Sequence, residues 1–407
     1  MTAKPLRDPE IAAEDPFGID PFRFCEGRLS GPALAALAEL QRTLDERVKP
    51  LMNEAWDTAT MPDGVIGALA PLGLMDPAGV TREEADSSLY KGLRTYVLAR
   101  TDVSVATVYN AQAGLFRATV RMGGSPEQAA ELDPLIRGFA LKGVFALTEP
   151  EHGSDVAGGL ATTATRVGEG DDAEWVIDGH KRWIGGASSA DVLAVFARDT
   201  ADGEVKCFLV PRDAEGVSIE IIQGKVSLRP MQNADFTLTG VRVPESARLA
   251  RVNSWRDVAA IMGTLRADVA WIAAGLQAGA LEAAIRYVRE REQFGRKLAG
   301  FQLIQEKLAR MAGNLVASLG MVTQISELQD RGVFSDANSS LAKMWVSLRA
   351  RETAALAREV AGGNGIVLDT DVARFFADAE AVYSYEGTHE ITSLIVGRAL
   401  TGASAFV

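Results

Sequence analysis

A single carboxylate near the end of the sequence has the surroundings of a general base. Glu386 lies in the segment Tyr385-Glu-Gly-Thr388, between two helical patterns and next to aromatic and apolar residues. Partial desolvation would raise the pKa of this carboxyl and suit it to proton transfer near neutral pH. The alternative is an ordinary exposed glutamate, which is the more frequent outcome for any one Glu.

Two further segments have the composition of ligand sites. Residues 147–155 read LTEPEHGSD, and their hydroxyls, glycine and main-chain N–H groups could approach a planar, acceptor-rich ligand closely. An ordinary polar turn explains the same composition equally well. Basic residues also gather at the end of a long helical pattern: Arg286, Arg289, Arg291, Arg296 and Lys297. They either compensate the helix dipole or form a pyrophosphate site.

Several classes of protein are disfavoured by composition and by missing motifs. Neither GxGxxG nor GxxxxGKS/T occurs, and the segment GGNG at 362–365 follows a helix rather than a strand, which predicts a helix-ending turn. There is no GxSxG elbow. With 3 His and 2 Cys residues, we expect no metal site and no disulfide framework. The net charge of −12 disfavours nucleic acid as a partner.

The sequence also predicts a cytoplasmic protein with no membrane partner. The N-terminal 30 residues lack the apolar segment of a secretory signal. The longest apolar run, Val269–Leu276, is too short to cross a bilayer. The chain ends in Ala405-Phe-Val407 rather than in a peroxisomal address.

Three successive parts of the sequence, with different secondary-structure patterns, must position these residues. Leucine and valine recur at spacings of three and four from Leu34 to Leu51, and helical patterns continue to about residue 140. Short β-rich segments begin at Val144, and Asp178-Gly179 predicts a two-residue hairpin turn between two of them. Four long helical patterns follow Arg251, which predicts a bundle.

This order predicts an α+β fold. An N-terminal arm at residues 1–30 precedes an N-terminal α-helical domain at residues 31–143. A central antiparallel β domain, barrel-like, follows at residues 144–251, and a C-terminal four-helix bundle occupies residues 252–407. A chain of 407 residues is long enough for these domains.

Taken in order, the motifs resemble those of the acyl-CoA dehydrogenase and oxidase flavoprotein superfamily over nearly the whole chain. The matching segments are LTEPEHGSD at 147–155, DGHKRWI at 178–184, REREQFGR at 289–296 with Gln302, GGNG at 362–365 and YEGTHE at 385–390. The resemblance implies that superfamily's fold, with FAD bound between the β domain and the bundle. It also implies a homotetramer built as a dimer of dimers.

The resemblance further assigns residues of this chain to FAD. The expected FAD-binding residues are Phe145, Leu147, Thr148, Ser154, Trp183, Ile184, Gly185, Arg291, Phe294, Gln302, Glu359, Gly362, Gly363, Thr388 and Glu390. Among them, Arg291, Phe294 and Gln302 would reach the FAD of a neighbouring subunit, which gives the basic cluster a pyrophosphate to meet. Glu359 stands where many members of the superfamily have Gln.

The same resemblance makes Glu386 the catalytic base. It would take the α-proton of an acyl-CoA thioester while the β-hydride goes to flavin N5. Leu265 occupies the position at which the isovaleryl and long-chain branches carry their base, which leaves Glu386 as the candidate. The expected substrate-binding residues are Ser154, Thr264, Arg266, Gly387, Ala106, Thr107 and Asn110.

Two positions bear on the branch of the superfamily. The C-terminal bundle looks most like that of glutaryl-CoA dehydrogenase, but Ala106 replaces the Arg that holds the substrate's distal carboxylate there. A short, uncharged acyl-CoA is therefore expected. Gly185 replaces the Thr of most dehydrogenases, and the segments around Gly185 and Met231 resemble the plant short-chain acyl-CoA oxidase branch.

The leading hypothesis is FAD-dependent α,β-dehydrogenation to the trans-2-enoyl-CoA, with electrons passed to electron-transfer flavoprotein. The alternatives are a short-chain acyl-CoA oxidase that reduces O2, a glutaryl-CoA dehydrogenase, and a non-catalytic or DNA-associated flavoprotein relative. The intact motif at 385–388 and the charge of −12 disfavour the last of these.

Overall fold

A computed structural model describes residues 17–405, which group into two compact units. Of the described residues, the helical unit holds 17–107, the segment Val226–Pro230 and 266–405. The sheet unit holds Val108–Lys225 and Met231–Leu265. Of the predicted N-terminal arm, residues 1–16 lie outside the described residues, as do residues 406–407. The predicted domain boundaries at 143 and 251 stay a prediction.

Helices form the two ends of the described chain, as predicted. The helices before the sheet are α1 Gly31–Thr43, α2 Met52–Thr58, α3 Asp63–Leu69, α4 Arg82–Ala85, α5 Ser88–Thr101, α6 Val103–Asn110, α7 Arg117–Gly123 and α8 Pro126–Arg137. A short helix, α9 Val156–Gly159, follows the first strand. The long helices after the sheet are α10 Trp255–Glu290, α11 Gln302–Asp330, α12 Asp336–Ala361, α13 Val372–Ser384 and α14 His389–Thr401.

The four long helices predicted for the bundle are confirmed, and α13 joins them. Helix α12 packs against α11, α13 and α14. The indole N–H of Trp271 on α10 donates to the hydroxyl of Ser326 on α11 at 2.9 Å. A Cβ added to Gly92 on α5 would lie only 2.1 Å from the Trp271 ring nitrogen, so this close approach requires glycine.

The sheet unit contains a seven-stranded mixed sheet. Its strands are β1 Gly143–Ala146, β2 Thr163–Val167, β3 Glu174–Gly185, β4 Val192–Asp199, β5 Val205–Pro211, β6 Val217–Ile221 and β7 Asn233–Pro244. The order is β1-β4-β2-β3-β7-β6, with β5 paired to β4. Strand β4 pairs in parallel with both β1 and β2. The prediction of an antiparallel domain is therefore wrong in this respect, because local alternation does not reveal strand direction.

The predicted hairpin turn at Asp178-Gly179 is also wrong. Both residues lie inside β3, where the register against β7 shifts between Ile177 and Gly179. A Cβ on Gly179 would lie 2.4 Å from the Thr162 hydroxyl oxygen. Glycine serves here to admit a neighbouring side chain at a β-bulge rather than to turn the chain.

Helix α10 is long and apolar enough to cross a membrane, with a mean hydropathy of 1.3 over its most apolar window. However, 72% of that window is buried inside the protein. The core helix of a soluble protein satisfies the same length and composition test. The apolar character of α10 is thus explained by packing. A small hairpin, β8 Glu292–Gln293 and β9 Arg296–Lys297, follows it.

Candidate active site

Glu386 lies in a tight turn between two helices of the helical unit. The turn begins where the Tyr385 N–H donates to the Ala381 carbonyl at the end of α13. It ends at Thr388, the N-cap of α14, whose hydroxyl accepts from the Ile391 N–H at 3.2 Å. Within it, Glu386 has φ +56° and Gly387 has φ +88°. Positive φ costs a non-glycine residue on the order of 1–3 kcal/mol, so the surrounding structure must hold Glu386 in place.

The surroundings of Glu386 raise its pKa into the working range of a base. Burial is the largest cause and brings the pKa to about 7. The cations of Arg266 and Lys343 oppose this rise, whereas the Asp268 carboxylate adds to it. A carboxyl with this pKa is partly ionised near neutral pH and accepts a proton readily.

Arg266, the predicted neighbour of the base, lies beside this turn. It is buried on α10, and one of its terminal nitrogens donates to Asp336 at the start of α12. A Cβ added to Gly387 would lie 3.7 Å from the Arg266 Nε. That Nε is buried and has no hydrogen-bond partner within the described part of the chain. An unpaired buried donor next to Glu386 is unusual and fits a group that meets a ligand.

Lys343, which the sequence analysis did not single out, also contacts this turn. It is fully buried on α12, and its Nζ donates to the carbonyls of Tyr383 and Gly387, each at 2.8 Å. Burial lowers the pKa of Lys343 to about 8. The available signal was its position three residues before Val346 and seven before Ala350, which puts a lysine on the apolar face of a helix.

The remaining predicted substrate residues lie on α6 and α10. Ala106 and Thr107 are buried on α6, where the Thr107 hydroxyl donates to the Val103 carbonyl at 2.7 Å. Asn110 is buried at the end of the same helix, just before a π-helical turn at Ala111–Phe116. The Thr264 hydroxyl on α10 donates to the Ile261 carbonyl at 2.8 Å. Their roles toward the substrate stay a prediction.

In the sheet unit, a buried ion pair joins two of the predicted flavin-facing segments. The Nζ of Lys181 on β3 donates to Glu149 at 2.9 Å and to the Leu147 carbonyl at 3.1 Å. The main-chain N–H of Arg182 donates to the Thr148 carbonyl at 2.9 Å. Residues 147–149 are therefore bound to residues 181–182.

Burial and ion pairing act in opposite directions on each pKa of this ion pair. Burial lowers the pKa of Lys181 to about 8, against the opposing charge of Glu149. Burial alone would raise the pKa of Glu149, but Lys181 and hydrogen bonds from Thr162 and Ala161 hold it below the usual value. Glu149 is thus an ionised, fully hydrogen-bonded carboxylate in the interior.

Trp183 is presented outward by the second bulge of β3. The register against β7 shifts between Lys181 and Ile184, and Trp183 has φ +68° with 51% of its surface exposed. The Arg182 guanidinium lies 4.8 Å from the centre of the Trp183 ring and pairs with Asp235. A bulge commonly re-aims a side chain in this way. Ile184 is buried.

Gly185 faces Met231 within the sheet unit. A Cβ added to Gly185 would lie 1.9 Å from the Met231 Cε. The methionine side chain therefore fills the space that a side chain at position 185 would take. Phe145 on β1 packs against Phe196, with ring centres 4.7 Å apart, while Leu147 is buried and Ser154 is exposed.

The other predicted FAD residues of the helical unit lie at element ends. Phe294, at the tip of the β8–β9 hairpin, has φ +53° and is 93% exposed. Gln302 begins α11, and Glu390 lies exposed in the first turn of α14. Glu359 pairs with Lys307 at 2.6 Å, and this lysine lowers the pKa of Glu359. Arg291 is exposed just after α10.

Each unit by itself carries groups suited to a flat ring or to phosphates. In the sheet unit, the exposed Trp183 ring provides a stacking surface. In the helical unit, the exposed Phe294 ring provides another, and exposed guanidinium groups such as Arg291 suit phosphate. A Cβ at Gly362 or Gly363 would meet nothing within 4 Å, so a ligand can approach this backbone closely. No group of three or more His, Cys, Asp or Glu side chains arranged to hold a metal occurs among residues 17–405.

The chain matches three families of sequences that together cover most of its length. These are "Acyl-CoA dehydrogenase, N-terminal domain" over residues 33–138, "Acyl-CoA dehydrogenase, middle domain" over 144–241 and "Acyl-CoA dehydrogenase, C-terminal domain" over 255–401.

Individual relatives are similar over the same extent. The mitochondrial short/branched chain specific acyl-CoA dehydrogenase of Rattus norvegicus is 32% identical over 86% of this chain and 82% of its own. A glutaryl-CoA dehydrogenase of Mycobacterium smegmatis, solved in complex with FADH2, is 30% identical, with a TM-score of 0.87 over 97% of this chain and all of its own. Butyryl-CoA dehydrogenase of Megasphaera elsdenii is 25% identical, with a TM-score of 0.84 over 91% of this chain and 98% of its own.

Proposed function

The chain belongs to the acyl-CoA dehydrogenase family, and from this premise we propose that it oxidises a short, uncharged acyl-CoA to the trans-2-enoyl-CoA, with Glu386 as the base. Membership makes it an oxidoreductase that acts on the CH–CH bond of acyl-CoA thioesters, and it confirms FAD as the cofactor. The observation that carries the proposal is the half-buried Glu386, whose carboxyl has its pKa raised to about 7 by desolvation and which lies in a turn at positive φ.

The chemistry divides between the cofactor and the protein. FAD, when bound, supplies the acceptor for the hydride that leaves the β-carbon. The Glu386 carboxylate takes the α-proton of the thioester. This proton is weakly acidic, and a main-chain N–H of the turn at 385–388 that donates to the thioester carbonyl would acidify it. The Arg266 guanidinium favours the ionised form of Glu386 before the proton is taken.

The substrate class follows from the helix that carries Ala106. This residue is fully buried, and its methyl group offers no charge to a distal carboxylate. An uncharged acyl chain is therefore favoured over a dicarboxylic one such as glutaryl. Thr107 and Asn110 on the same helix would complete the lining of the acyl site.

For the FAD site, we divide the main predicted residues between the flavin ring and the rest of the cofactor. The loop and bulge of the sheet unit, with Thr148 and Trp183, would face the flavin. The hairpin tip with Phe294 and the open backbone at Gly362 and Gly363 would contact the rest of the cofactor. Ser154, an exposed residue of the same loop, would contact the acyl-CoA, as the resemblance implies.

We propose that the enzyme passes its electrons to electron-transfer flavoprotein, works in the cytoplasm and assembles as a homotetramer. The two cysteines, Cys25 and Cys207, are buried free thiols, which fits a reducing compartment. Assembly is supported by exposed apolar side chains of the helical unit, among them Leu303 and Leu400.

A second candidate is the same dehydrogenation with O2 as the electron acceptor. It is favoured by the pairing of Gly185 with Met231, which replaces the side chain that most dehydrogenases carry at this position.

One experiment tests the proposed function and separates the acceptors. The purified FAD-loaded protein is mixed with butyryl-CoA without oxygen, the flavin absorbance is followed, and air is then admitted with a peroxide assay. We expect rapid bleaching and slow peroxide release. Rapid peroxide release would favour the oxidase, and absence of bleaching with every short or medium acyl-CoA would overturn the enzyme assignment.

A further inference from the structure

Lys343 is a buried lysine whose hydrogen bonds go to main-chain carbonyls. None of its surface is exposed, and its Nζ lies 2.8 Å from the Tyr383 oxygen and 2.8 Å from the Gly387 oxygen. Burying an ammonium group is costly unless its hydrogen bonds are satisfied, and here two carbonyl dipoles satisfy it. A neutral, apolar side chain would be the ordinary choice on this face of α12.

The two carbonyls stand on either side of Glu386. Tyr383 lies in the last turn of α13, where carbonyls have no partner within the helix. Gly387 immediately precedes Thr388, the N-cap of α14. One ammonium group therefore bridges the end of one helix and the start of the next, and Glu386 lies between them at φ +56°. A cation is also favoured at the end of a helix by its dipole.

Lys343 is also one of the charges that act on Glu386. From α10, Arg266 favours the ionised carboxylate and Asp268 disfavours it, and from α12 Lys343 favours it. The charge of Arg266 is partly offset by its ion pair with Asp336. Arg266 is nevertheless the larger of the two favourable charges, and Lys343 adds to it. Lys343 bonds to two neutral carbonyls rather than to a carboxylate, and both Glu386 and Glu390 act on its charge.

We propose that Lys343 is a positioning residue for the base: it closes the turn at 385–388 through two carbonyls and favours the ionised form of the Glu386 carboxyl, which abstracts the proton. This inference rests on the proposed role of Glu386. In this inference Lys343 does not touch the reacting atoms. It acts on the catalytic group in two ways: it fixes the backbone of the turn and it lowers the pKa of the Glu386 carboxyl.

The test is the pH dependence of flavin reduction by butyryl-CoA in three variants. In the unmodified enzyme the rate should rise with pH through about 7, as Glu386 ionises. Lys343→Met and Lys343→Gln remove the cation, and the midpoint should move upward by about one pH unit. At pH 7 this lowers the rate by about fivefold, and the loss is recovered at pH 9. Lys343→Arg keeps the charge and should keep the midpoint.

A second measurement does not depend on turnover. The carboxyl stretch of Glu386, identified by infrared difference against Glu386→Gln, reports its protonation in the FAD-loaded enzyme without substrate. Its midpoint should move upward in Lys343→Gln by the same amount. Lys49→Met is the matched control, because it removes a lysine that lies 3.7 Å from Asp371 in the same unit and should leave both midpoints unchanged.

The outcomes are distinguishable. If Lys343→Met does not retain FAD, the Gln and Arg variants still decide the question. Rates lowered equally at every pH, with an unshifted infrared midpoint, would mean a structural role only and would overturn the inference. If Glu386→Gln itself retained full bleaching, the assignment of the base in the proposed function would fail first, whatever the Lys343 variants did.

Discussion

At the scale of single residues, Glu386 is set apart from an ordinary glutamate by its backbone conformation. A non-glycine residue at positive φ is held there by its neighbours, and such residues concentrate at functional sites. Burial raises the pKa of this carboxyl to about 7, far closer to neutrality than an exposed glutamate. The same position therefore combines backbone strain and altered acidity, which a surface glutamate would show only by coincidence.

Replacing Glu386 tests this argument directly. Glu386→Gln keeps the size and polarity of the side chain but removes the proton acceptor. It should retain FAD and lose anaerobic bleaching by butyryl-CoA by a factor of about 10² to 10⁴, the usual contribution of a general base. Stopped-flow absorbance of the bound flavin measures the rate.

The matched control for this variant is Glu380→Gln. Glu380 lies on α13, the helix that leads into the turn, and forms an exposed ion pair with Arg351 at 2.9 Å. This change should leave the bleaching rate within about twofold of the unmodified enzyme, since exposed ion pairs contribute little. Equal losses in both variants would contradict the role of Glu386 and point to a general effect on the fold.

At the scale of elements, the buried ion pair of Lys181 and Glu149 holds the second bulge of β3 against the loop that follows β1. Glu149 accepts from the main-chain N–H groups of Ala161 and Thr162 as well as from Lys181. One carboxylate thus joins three segments of the sheet unit. Thr148 is next to Glu149, and Trp183 lies two residues after Lys181, with the Arg182 N–H between them bonded to the Thr148 carbonyl. The positions of Thr148 and Trp183 therefore depend on this network.

Removing the lysine of this pair should destabilise the sheet unit. Lys181→Met leaves the Glu149 charge buried without its counter-ion, which typically costs about 3–5 kcal/mol. We expect a lower unfolding temperature in calorimetry and weaker retention of FAD on gel filtration. Arg242→Met is the control, because Arg242 forms an exposed pair with Glu174 at 3.1 Å between β7 and β3. A loss as large as that of Lys181→Met in this control would argue against burial as the cause.

The periodicity of the sequence predicts the long helices but not the pairing of the strands. The long helices follow from spacings of three and four because burial of one face depends on the local sequence. The parallel pairing of β4 and the bulge at Gly179 depend on segments distant in the chain, such as Thr162, and no local pattern encodes them. Asp178-Gly179 has the composition of a turn, yet its glycine meets a different steric need.

The site could be predicted only in part for the same reason. The segment around Glu386 was identifiable because its residue types are unusual together. Lys343 was not, since its contact with the Gly387 carbonyl joins residues 44 positions apart in sequence. A lysine in a helix predicts an exposed side chain by default, and the spacing of Lys343 to Val346 and Ala350 is the one local sign that it is buried.

At the scale of the whole molecule, the scarcity of reactive side chains is consistent with the chemistry. The chain has 3 His and 2 Cys residues, and both thiols are buried, where burial raises the pKa of Cys25 to about 12. A flavin carries out the redox step in this family, so the protein itself needs one carboxylate and the groups that tune it. We also propose that the local basic cluster at 286–297 of this acidic chain meets the phosphates of the cofactor.

The exposed apolar side chains of the helical unit predict self-association of this acidic chain. Leu400 is 81% exposed and Leu303 is 77% exposed, which is unfavourable in water unless another surface covers them. Light scattering on the FAD-loaded protein should give four times the 43.4 kDa mass of one chain.

The double variant Leu303→Asp/Leu400→Asp should shift this mass toward smaller species, because burying a carboxylate at an interface is costly. Leu303→Met/Leu400→Met keeps the surface apolar and should keep the tetramer. A monomeric unmodified protein at micromolar concentration would contradict the assembly, and a tetramer unaffected by the aspartates would place its interface elsewhere on the surface.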